Sequence, residues 1–159
     1  MADTARLARQ RSPLGHVDDR LVAATRSSGG AVRLAEVPFL AQVNVRVDAK
    51  SVAADAVGLA LGLQLPLEPD TTGRTEDMTV VWLGPDEWLV MGRPGAQRDL
   101  ESRIRSAAGN DHVSVTGVSA QRTTLARDET RAGFWVLVRS SFAGYVADWL
   151  LDAAVEYRV

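Results

Sequence analysis

The chain has 159 residues, 46% hydrophobic and 24% charged, with a formal net charge of -2. That is ordinary globular composition for one domain with a modest core, or for two half-sized lobes sharing one, and the charge excludes the basic surface that nucleic acid or an anionic membrane requires. The absence of cysteine excludes disulfides, thiolate chemistry, iron–sulfur clusters and cysteine-held zinc together, and it fits a reducing cytoplasm.

Residues 1–30 are rich in Arg, Ser and Gly and end in RSSGG. They read as a mobile N-terminal arm, pinned if anywhere by SPL at 12–14. No hydrophobic signal core opens the sequence and no apolar run approaches the roughly 20 residues of a membrane span, so the expected location is cytoplasmic, with no membrane partner. A single α+β domain is expected over 31–159. It begins with two short strands in AVRLAEVPFLAQVNVRV, separated near Pro38. In the second, Val43, Val45 and Val47 alternate with Gln42, Asn44 and Arg46, the period of a half-buried strand. Asp48 is placed to cap a helix over about 49–62 by accepting from its unpaired first-turn N–H groups. Val52, Ala56, Leu59 and Leu63 then form its inward stripe.

A polar, Pro-punctuated loop leads to MTVVWLGPDEWLVMG, two strands joined by a turn at GPDE with Pro85 at the position whose φ it presets. A second helix follows Pro94, with Leu100, Ile104 and Ala107 inward and Gly109 as its stop. HVSVTGVSAQRTTLA returns to strand, FWVLV at 134–138 is another, and SSFAGYVADWLLDAAVEY closes with a helix capped by Ser140 or Ser141. Residues 39–118 therefore spell βαββαβ, the ferredoxin-like half-unit, and 119–159 an abbreviated second strand–helix half-unit. EWLVMGRPGAQRDLESRIRSAA and FWVLVRSSFAGYVADWLLDAA share that strand–break–helix layout, with Trp88 matching Trp135.

The hairpin is greasy on both faces. Val80 and Trp82 point one way and Val81 and Leu83 the other, while Trp88 and Val90 oppose Leu89 and Met91. Each large side chain buried is worth roughly 1.5–3 kcal/mol, so the second face needs a cover, either the chain's own end or another protein. The last helix is also wide in its apolar arc, through Phe142, Tyr145, Val146, Trp149 and Leu150, and it carries Gly144 where a close backbone is tolerated. These features make Trp82, Trp88, Phe142, Tyr145 and Trp149 candidate interface residues. Arg122, in SAQRTTL, joins them as a possible two-pronged anchor for a partner's carboxylate.

Candidates for chemistry are few. His16 and His112 lack metal-ligand companions at helical or strand spacing. There is no G-x-S-x-G elbow, and GRPG before a helix lacks the rest of a phosphate-binding fingerprint. Asp86 and Glu87 sit in a turn, where water keeps two carboxylates alike. No catalytic, cofactor-binding or metal residue is expected in this chain.

RSPLG, VPFLAQVNVRVD, LP…P.T, WLGPDEWLVM, VSAQRTTL and LVRSSFAGYVADWLLDAAVEY, in that order, resemble the gamma subunit family of heterotetrameric sarcosine oxidase, with the match covering about residues 11–48 and 78–159. The resemblance implies an accessory subunit with a fold similar to the folate-binding part of aminomethyltransferases. It implies alpha, beta and delta subunits as partners, principally alpha. FAD, FMN, NAD, tetrahydrofolate and zinc are then expected on those partners. The complex oxidises sarcosine to glycine, releases hydrogen peroxide and passes a one-carbon unit to tetrahydrofolate. Two departures stand out: Gly117 replaces an Asp before VS, and only ARDETRAG stands where the family runs on through a helix and a strand of roughly forty residues, of the length that a helix and strand require. A stand-alone folate-binding protein of aminomethyltransferase type is the alternative.

Overall fold

A computed structural model describes residues 11–126 and 133–159. Its contacts divide the chain into two compact units, Val37–Arg122 and the combination of Met1–Glu36 with Thr123–Val159.

A short strand β1 (Ala35–Val37) belongs to the sheet of the second unit; the first unit runs β2 (Ala41–Arg46), α2 (Val52–Leu61), β3 (Thr72–Arg74), β4 (Met78–Gly84), β5 (Glu87–Gly92), α3 (Gln97–Ala108) and β6 (Ser114–Gly117). The sheet order is β3-β4-β5-β2-β6, with antiparallel pairing. Register is fixed by cross-strand pairs such as Val43 with Val90 and Trp82 with Trp88. Val43, Val45, Val80, Trp88 and Val90 project from one face of this sheet into a core shared with Val57 and Leu61 of α2 and Leu100 and Ile104 of α3. The Trp88 indole N–H donates to the Pro66 carbonyl at 2.7 Å, so the one polar atom of the largest core side chain also fastens the Pro-rich loop.

Helix α2 departs from its expected placement. Ser51, and not Asp48, is the cap: its hydroxyl accepts from the Ala54 N–H at 3.1 Å, while Asp48 accepts from Lys50 one turn earlier. The helix ends at Gly62, at φ +78°, where Leu63 N–H returns to the Gly58 carbonyl. Its inward stripe is Ala53, Ala54, Val57, Gly58 and Leu61. Val52 and Leu59, expected inside, are 81% and 85% exposed. The small stripe lies inward because the chain after Gly62 folds tightly against it: a Cβ on Gly58 would sit 2.8 Å from the Leu63 carbonyl oxygen.

The hairpin turn matches expectation, with Pro85 and Asp86 between β4 and β5. Its second face is closed along β5 and open at Leu83, which is 43% exposed. Leu89 and Met91 are 1% and 3% exposed, and along the same face burial gives way to charge, with Asn44 donating to Glu87 and Arg46 pairing with Asp86. The expected strand over 112–126 is two strands, β6 and β7 (Arg122–Ala126), which belong to different sheets. Between them the Gln121 N–H closes a turn on the Val118 carbonyl, and the Ser119 hydroxyl accepts from the Gln42 N–H at 2.8 Å.

The second unit holds α1 (Asp18–Ser27), the three-stranded sheet β1-β7-β8 with β8 at Trp135–Arg139, and α4 (Ala143–Ala153) behind a 3-10 turn at Ser140–Phe142. Part of the expected mobile arm is thus helix. Leu14, Val17 and Leu21 recur at i, i+3 and i+7, the apolar stripe of a helix and its lead-in, and all three are buried with Leu125, Val138, Ala143, Ala147 and Leu151. Residues 1–10 of that arm lie outside the described residues. The SPL segment is pinned: Ser12 donates to Glu36, which also accepts from Thr123, and Leu14 is fully buried.

Candidate interaction surface

Helix α4 allocates its side chains in an unusual way. Its buried positions are Ala143, Ala147 and Leu151, spaced by four. Its aromatic residues lie elsewhere, with Phe142 59%, Tyr145 73% and Trp149 63% exposed. Spacings of three and four put those three rings on one side of the helix. With more than half of each ring exposed, the three present an apolar surface on the order of a few hundred Å². Gly144 adjoins them, and a Cβ there would meet nothing within 4 Å. Among the described residues no packing therefore requires a glycine in this first turn, a residue that within a helix costs up to about 1 kcal/mol relative to Ala. At the edge of this surface Arg20 of α1 pairs with Asp148 at 2.7 Å, both side chains more than half exposed.

The structure groups Phe142, Tyr145 and Trp149 as expected, and it sets the other three candidates apart. Trp88 is withdrawn from the surface: it is wholly buried, because its ring fills the core between sheet and helices. Trp82 and Arg122 are half-buried in the Val37–Arg122 unit. The Trp82 Nε1 and Arg122 Nη1 atoms are buried and have no hydrogen-bond partner among the described residues. Val52 and Leu59 on α2 form a second exposed apolar pair that the sequence reading assigned to the core. The signal was present in the composition of α2, whose apolar residues run all round the helix and not along one stripe.

Little else invites chemistry. His16 and His112 are exposed, and among the described residues no group of three or more His, Asp or Glu could hold a metal ion. A cleft of about 430 Å³ near Leu61, Met78 and Leu100 is ringed by charge, but Arg93 pairs with Asp77 and Arg103 lies 3.9 Å from Asp99 while donating to the Ala60 carbonyl. Four of its five charged side chains are thus engaged with one another, and the fifth, Glu76, is exposed.

An exposed aromatic helix face suits a contact with another protein. The model of the sarcosine oxidase, gamma subunit family matches residues 46–132, more than half of the chain. The chain belongs to this family. The sarcosine oxidase subunit gamma of Corynebacterium sp. (strain U-96) is 32% identical over 198 aligned positions, covering 99% of this chain and 95% of the relative. That of Corynebacterium sp. (strain P-1) is 29% identical over 189 positions, covering 93% and 91%. That of Arthrobacter sp is 36% identical over 117 positions, covering 73% and 56%. The fold is similar to a chain of the heterotetrameric sarcosine oxidase from Corynebacterium sp. U-96 in complex with pyrrole 2-carboxylate, with a TM-score of 0.83 and 24% identity over 94% of this chain and 97% of that one. The alignment with the U-96 gamma subunit spans 198 positions against the 159 residues of this member of the family, so at least 39 residues of that relative have no counterpart here.

Proposed function

We propose that this chain is an accessory, non-catalytic subunit of a heterotetrameric sarcosine oxidase. In that complex sarcosine is oxidatively demethylated to glycine, with formation of hydrogen peroxide and transfer of a one-carbon unit to tetrahydrofolate. The observation that carries this reading is the α4 face, where Phe142, Tyr145 and Trp149 stand exposed on a helix that buries its alanines. Membership of the gamma subunit family supports it and favours it over a stand-alone folate-binding protein. FAD, FMN, NAD, tetrahydrofolate and zinc belong on the partner subunits, and the complex works in the cytoplasm.

The α4 face docks on the alpha subunit. Aromatic side chains that lose little conformational freedom on contact are the usual anchors of such interfaces. The Val37–Arg122 unit is a ferredoxin-like half-unit, supported by its strand–helix–hairpin–helix–strand order, its sheet order and its antiparallel pairing, with β3 added at one edge. Residues 119–159 are a shortened second half, in keeping with the surplus length of the relatives.

Co-expression with the alpha, beta and delta subunits, followed by size-exclusion chromatography, tests the proposal. The wild-type chain is expected to co-elute with alpha, and the Tyr145→Ser/Trp149→Ser variant to elute alone with an unchanged melting profile. A wild-type chain that never co-elutes, under conditions where the other three subunits assemble, rejects the proposal.

A further inference from the structure

We draw no further inference here: the strongest candidate, the apolar groove of about 240 Å³ beside β8 walled by Leu34, Leu125, Phe134 and Val136, carries none because nothing in the structure shows what covers it.

Discussion

Helices α3 and α4 follow their strands with the same layout, a strand carrying a tryptophan, a short break and a three-turn helix. They spend their large side chains in opposite ways. Helix α3 buries Leu100, Ile104 and Ala108 and shows solvent Arg98, Asp99, Arg103 and Arg105. Helix α4 buries Ala143, Ala147 and Leu151 and shows Phe142, Tyr145 and Trp149. The tryptophans follow suit, since Trp88 ahead of α3 is fully buried whereas Trp135 ahead of α4 is only half so. The α3 surface is finished, with its apolar groups inside and its charges in water. The α4 surface leaves its three aromatic rings largely in water, and that is the difference between the two helices.

The widest gap between the two helices should appear in stability. Ile104→Ala removes a fully buried side chain from the core and is expected to cost about 2–5 kcal/mol, read from the midpoint of denaturant unfolding. Trp149→Ala removes a larger side chain, yet from a surface, and should stay within about 0.5 kcal/mol. Equal losses in the two variants would erase the distinction. Next in size is Gly58→Ala, expected to cost about 1–3 kcal/mol because the new Cβ meets the Leu63 carbonyl. An unchanged or raised midpoint for that variant would mean that the fold-back after α2 is loose, and α2 would then not be held with Val52 and Leu59 outward.

Much of this was legible in the sequence, and where it failed the reason is physical. The alternation of Val43, Val45 and Val47, the turn at Pro85 and Asp86, and the stop at Gly109 each follow from a local rule, and each stands where expected. Periodicity could not decide which face of α2 turns inward, because two stripes compete and the choice is made by close approach at Gly58, a tertiary event. The stripe of Leu14, Val17 and Leu21 was hidden among Arg, Ser and Gly, whose composition argued for an arm. For the proposed contact, the wide apolar arc of the last helix was legible in the sequence, and Phe142, Tyr145 and Trp149 are exposed on it. It could not tell Trp88 from Trp149: both sit in apolar text, and only the packing of sheet on helices puts the first inside.

Gly144 gives a smaller and more discriminating test of α4. With open space around it, Gly144→Ala is expected to stabilise the lone chain by about 0.5–1 kcal/mol through helix propensity. The same methyl group should weaken assembly with the partner subunits if a second backbone approaches there. A variant that melts higher and assembles as well as wild type would show that the glycine serves no contact.

The smallest effect concerns the charges that finish α3. Glu101 accepts from Arg105 at 2.9 Å and from Gln97 at 2.8 Å, and these hydrogen bonds, with the arginine's first, hold its carboxyl below the usual 4.5. The same Gln97 and Glu101 side chains occupy the space that a Cβ on Gly117 would need, so any larger residue at 117 would displace the pair. Because the folded pKa is depressed, the ionised form stabilises the fold at neutral pH. That contribution is lost as pH falls through the folded value. Glu101→Gln should therefore be less stable than wild type at pH 7 by a few tenths of a kcal/mol, the scale of an i,i+4 pair, and the two unfolding curves should converge as pH drops below 4.5. Curves that stay apart at pH 3 would assign the loss to packing over Gly117 and not to charge.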